Sequence, residues 1–129
     1  MAWVEIVTLL AVIQLIVFGF LVGKARVQYG IKAPATAGNE MFERYFRVQM
    51  NTLETLVAFL PALWIAARYW SPPLMAAIGA VYLVGRQVYL ASYVRDPARR
   101  SAGYGLSFLP TALLVVAAVI GVVRALLTH

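Results

Sequence analysis

Cysteine is absent from this 129-residue chain, histidine occurs once, at the last position, and five acidic residues face eleven lysines and arginines. The first absence removes disulfides, thiolate metal sites and a protein-borne sulfur nucleophile together. With His129 as the lone imidazole, a histidine base or a histidine metal cluster is also excluded, so no metal is expected. Any chemistry has to use Arg, Tyr, Asn, Glu or Ser. Charge of either sign is scarce, at 12% of residues, while 63% are hydrophobic, far from the even mixture of a soluble domain. The net charge of +6 could suggest nucleic acid, but the cations sit in short clusters between long apolar runs. That is how a membrane protein places its loop charges, and nucleic acid is not an expected partner.

The apolar runs predict four membrane-spanning helices in a single domain, residues 1–129. Trp3 to Gly23 is 21 residues long, about 31 Å at about 1.5 Å per residue, the thickness of a hydrocarbon core. Its basic residues, Lys24 and Arg26, follow the run, whereas a signal peptide would place them before it. Tyr29 to Glu40, with Pro34 and two glycines, reads as a loop. Helix two is expected from about Met41 to Tyr69, with Pro61 kinking it. Ser71 can cap helix three, whose opening turn takes Pro72 and Pro73 and which runs to about Val94. The polar segment "RDPARRSAGYG" reads as a connection, and helix four as about Leu106 to Leu127. Small residues on helix three, Ala76, Gly79, Ala80 and Gly85, suit close helix contacts.

Lysines and arginines concentrate in the first and third connections and their flanks. The positive-inside rule therefore puts both connections on the cytoplasmic side and both termini on the other. On helix two, Arg47, Asn51 and Glu54 fall within a stripe of about 60° at about 100° per residue, with Glu43 one turn earlier. A charge near mid-bilayer costs about 2.5 to 3.5 kcal/mol, so Glu54 needs a partner, and Arg86 on helix three is one. Tyr82, Arg86, Tyr89 and Tyr93 form a matching stripe that leads to Arg99 and Arg100. Such stripes serve as interhelical glue, and glue accounts equally well for Glu54 with Arg86. For Arg47, Asn51, Tyr89, Tyr93 and Arg100 together, the excess of cations over acids points to an anionic ligand.

"FERYFRVQMNTLETLVAFLPALWIA" followed by "VYLVGRQVYLASYVRDPARRS" resembles the MAPEG family, the membrane-associated proteins of eicosanoid and glutathione metabolism. The core of the likeness is Glu43, Arg44, Arg47, Asn51 and Glu54, and it covers roughly Lys24 to Tyr104. The resemblance implies a homotrimer of four-helix subunits with glutathione bound between adjacent subunits near the cytoplasmic side. It assigns Arg26, Arg47, Gln49, Asn51, Glu54, Tyr89 and Tyr93 to glutathione and Arg100 to activating its thiol, with Arg99 the competitor for that role. The implied activity is glutathione transfer to hydrophobic electrophiles, or reduction of lipid hydroperoxides, with membrane lipids as surroundings. Thr55 stands where one branch of the family has a tyrosine, which leaves the acceptor unassigned. Two other classes fit four short spans: a non-enzymatic lipid-binding member and a small multidrug transporter. A transporter of that kind typically needs a carboxylate deep in its first helix, where this chain has only Gln14, and Glu5 stands at that helix's start.

Overall fold

Each helix begins and ends where local chemistry stops it. The structure, a computed structural model, describes residues 1–128, so His129 lies outside the described residues. Helix α1, Ala2–Tyr29, closes on Gly30, whose φ of 69° is left-handed and suits a residue without a Cβ. In α2, Glu40–Tyr69, the Asn39 side chain caps the first turn by accepting from the Phe42 amide at 3.0 Å. In α3, Pro72–Arg95, Ser71 caps as expected and the two prolines occupy the opening turn. A short 3-10 turn, Pro97–Arg99, is capped by Asp96 and leads into α4, Ser101–Leu127. All four are long and apolar enough to cross a membrane.

The start of α4 departs from the expectation of Leu106. "SAGYG" is helical because Arg100 already accepts a backbone bond from Tyr104, and its glycines serve packing. A Cβ on Gly103 would lie 2.4 Å from the Tyr89 backbone nitrogen, so only glycine lets α4 approach α3 this closely. Gly85 does the same from the other side, facing the Leu106 backbone at 2.6 Å. The expected polar connection therefore shrinks to Asp96 through Arg100. The other connections are Gly30 to Asn39 and the two residues Trp70 and Ser71.

In the bundle, α2 and α3 are central, with α1 and α4 each packed on both of them. Val4 and Val7 at the start of α1 meet Leu63, Ala66 and Ala67 late in α2, Met75 and Ala76 early in α3, and Ala118 late in α4. The order of ends makes the topology up-down-up-down. At the opposite end, the core is Phe18, Val48 and Tyr89, and then Val22, Ala25 and Phe42. Many large apolar residues stay on the outside, among them Leu9, Phe20, Val57 and Leu109. Lipid accepts such a surface where water would not.

Candidate functional site

The polar end of the α2/α4 seam holds a cleft of about 280 Å³ lined by Asn51, Glu54, Thr55 and Ala58 of α2 and by Tyr104, Ser107, Phe108 and Thr111 of α4. One wall is polar; Ala58 and Phe108 make the other apolar. At about 100° per residue, Arg100, Tyr104, Ser107 and Thr111 lie within about 60° on α4. Arg100 therefore stands one turn before Tyr104 on the cleft-facing side. Its guanidinium is exposed and reaches only the Pro97 carbonyl, at 3.3 Å. Arg99 instead lies 3.8 Å from Asp96, and both side chains are more than half exposed.

Beneath the cleft, Arg86 is fully buried. Its Nε donates to Ser107 Oγ at 2.8 Å, and its Nη1 donates to Asn51 Oδ1 at 2.7 Å and to Thr52 Oγ1 at 3.3 Å. The guanidinium lies 4.5 Å from the centre of the Tyr89 ring, a cation–π contact that compensates in part for lost solvation. Tyr93 stacks on Tyr89 with centroids 5.4 Å apart. Thr55 gives its only hydroxyl proton to the Thr52 carbonyl. Its 2.8 Å contact with the Tyr82 hydroxyl must therefore have Tyr82 as donor.

The expected pairing of Glu54 with Arg86 does not form. Hydroxyls and an amide take Arg86, while Glu54 is exposed at the cleft with no ion pair among the described residues. The reason is geometric. Asn51 and Thr52 lie between the Glu54 side of α2 and the side that packs on α3, and they reach the guanidinium first. Arg47, on the Glu54 stripe, is likewise exposed.

The remaining residues of the expected set stand elsewhere. Gln49 is about 200° around α2 from Arg47 and faces α1, where a Cβ on Gly19 would lie 3.1 Å from its amide nitrogen. Arg26 lies 4.8 Å from the Phe42 ring centre, and Phe42 is within about 20° of Gln49 on α2. Arg26 also donates to the Ala35 carbonyl at 2.7 Å. One chain thus presents two half-sets: Arg47, Asn51, Glu54 and Arg100 along the α2/α4 seam, and Arg26 with Gln49 on the α1 side. Tyr89 and Tyr93 support the first.

Sequence reasoning missed Tyr104, Ser107 and Thr111, because helix four was expected to start after Tyr104. The signal was present as the spacing of four, three and four from Arg100 to Thr111.

A bundle of four helices, each long and apolar enough to cross a membrane, with a polar cleft on the α2/α4 seam, defines an integral multi-pass membrane protein, and the profile of the MAPEG family matches residues 4–120. The chain belongs to that family. It is 44% identical over 120 residues to "Uncharacterized protein sll1147" of Synechocystis sp., covering 93% of this chain and 88% of that one. It is 35% identical to Microsomal glutathione S-transferase 2 of Homo sapiens, over 94% of this chain and 82% of that one. With Leukotriene C4 synthase of Bos taurus it shares 36% identity, over 89% and 77% respectively.

Proposed function

We propose that the chain is a membrane-bound glutathione transferase that presents the glutathione thiolate to hydrophobic electrophiles. The observation that carries the reading is the cleft itself. Asn51, Glu54 and Tyr104 meet an apolar wall there, and the face of α4 continues to an unpaired Arg100, in a chain similar over most of its length to a glutathione S-transferase. Glutathione carries two carboxylates and one ammonium. Arginines would hold the carboxylates through charge-assisted bonds and Glu54 the ammonium. Arg100, close to sulfur, would favour the thiolate.

In conjugation with an aryl halide, the sulfur lone pair forms the S–C bond, the carbon–halogen bond breaks, and halide leaves with its electron pair. The thiol proton has gone to solvent beforehand. Ala58 and Phe108 provide apolar contact for such an acceptor. Lipid hydroperoxides are a second acceptor class for the same thiolate. Calorimetry on detergent-solubilised protein should detect glutathione binding, and an aryl-halide assay should detect conjugate. Absence of both would overturn the reading.

A homotrimer completes the site. Glu54 and Arg47 on a span are costly facing lipid, while Arg26 and Gln49 lie on the far side of α2, so a neighbouring copy supplies one half-set to the other. Arg26→Ala and Arg100→Ala subunits, each of low activity, should therefore complement when mixed. One intact site per mixed ring should form, roughly a third of the wild-type number. No recovery in verified mixed trimers would count against the shared site.

A further inference from the structure

Arg86 is a cation buried in a membrane span with no carboxylate beside it among the described residues. Three side chains from two other helices converge on it, while its Nη2 finds no partner among the described residues. Two of them, Asn51 and Ser107, line the cleft. Their remaining hydrogen-bonding capacity is what the cleft can use. Ser107 has no donor left for the cleft, since its oxygen accepts from Arg86 and its single proton goes to the Gly103 carbonyl at 2.8 Å. Asn51 does.

Arginine has no acceptor. The amide of Asn51 can meet it only through Oδ1, since the flipped amide would set donor against donor. The orientation is thus imposed by chemistry, and both Nδ2 hydrogens are left on the side away from Arg86. No described group accepts from them. We propose that Arg86 is a positioning residue for the ligand site: by holding Asn51 Oδ1 from below, it commits the Asn51 NH2 to the cleft, where that group reads a carbonyl or carboxylate oxygen of the bound peptide.

The proposal rests on the glutathione reading and specifies one contact within it. Without Arg86 the amide rotates freely and can present either end. A ligand carboxylate would then meet a carbonyl oxygen part of the time, and binding weakens although Asn51 is still present. Arg86 touches no ligand in this account; it acts only through Asn51. The buried guanidinium also places its positive charge behind the amide, where it polarises the NH2 further and strengthens the bond to an anionic acceptor.

The test is a double-mutant cycle on glutathione affinity, measured by calorimetry on the full-length solubilised chain. Arg86→Lys keeps the charge but loses the fork that grips Asn51, Thr52 and Ser107 at once. It should weaken glutathione about tenfold, the size of one charge-assisted hydrogen bond. In the Asn51→Ala background the same change should matter less than about twofold. Independent, additive losses would overturn the positioning role, because a purely structural residue would weaken binding in both backgrounds alike.

If Arg86→Lys fails to fold, Asn51→Asp and Asn51→Leu carry the test. Asp still offers Arg86 an acceptor, so its Tm should equal or exceed the wild type while glutathione affinity falls about tenfold or more. Leu strands the guanidinium and should lower Tm. Equal Tm losses in the two would overturn the contact. A wild-type chain that binds no glutathione would overturn the parent reading, and the positioning role with it; the Tm comparison would then report on the Arg86–Asn51 contact alone.

Discussion

Where the bundle is closed by Trp70 and Ser71, Val4, Leu63, Ala66, Met75 and Ala118 meet in an apolar core, and Gly79 lets the Val7 and Phe59 side chains close over it. At the other end the same four helices surround Arg86, Asn51, Thr52, Ser107 and Tyr89. The first region is held by shape, since apolar side chains gain little by leaving lipid and what remains is close packing. The second is held by hydrogen bonds whose loss would leave polar groups in hydrocarbon. The packed core around Leu63 presents no polar side chain to a ligand, and a cation on that end, Arg124, lies against the Trp70 ring. A region held by polar groups can leave donors and charges pointing outward, and Asn51, Glu54 and Arg100 are those.

The largest expected effect would break function and leave the fold alone. Arg100 holds nothing together beyond a 3.3 Å contact with the Pro97 carbonyl, so Arg100→Ala should leave Tm unchanged. A thiol of pKa about 8.5 is only about 3% ionised at pH 7. A nearby cation that lowers this by about two units is equivalent to about 2.7 kcal/mol. At pH 7 the ionised fraction would drop from about three-quarters to about 3%, so turnover should fall about 25-fold with glutathione affinity little altered. Thiolate absorbance titrated on the glutathione complexes is the direct check, and an unchanged thiol pKa in the variant would sink the assignment.

The opposite break comes from the packed end. Leu63 is fully buried, and Leu63→Ala should cost about 2 kcal/mol of stability, the low end of the range for soluble cores because lipid already solvates the lost methyls. Thermal unfolding in detergent would show a lowered Tm, while the folded fraction should bind glutathione as the wild type does. A selective loss of affinity at unchanged Tm would mean that the two ends are not separate.

Arg99→Ala gives the smallest effect and sharpens the contrast with its neighbour. Its contact with Asp96 is long and exposed, a class of pair that contributes little. Turnover should stay within about twofold of the wild type. A loss matching that of Arg100→Ala would mean that the 3-10 turn presents the wrong arginine.

Four spans, most of their ends, the cap at Ser71 and the small residues Ala76, Gly79 and Gly85 facing neighbours were legible in the chain, because hydrophobic length and capping are local properties that need no partner; Ala80, expected among those contacts, is exposed. The stripe of Arg47, Asn51 and Glu54 was legible for the same reason, being a consequence of helical pitch. Which groups each member of that stripe meets was not. Glu54 and Arg86 match in charge, yet Asn51 and Thr52 occupy the space between them, and only the packing of α2 on α3 shows it. Nor could composition tell that the glycines of "SAGYG" bring two helices into contact; glycine suits a loop and a close approach equally, and the presence of Tyr89 opposite Gly103 decides between them. That decision extends α4 by a turn and a half, sets Arg100 and Tyr104 on one face, and so creates the cleft. Pitch and polarity along one helix are written in its own residues, whereas the distance between two helices depends on what each of them puts in the gap.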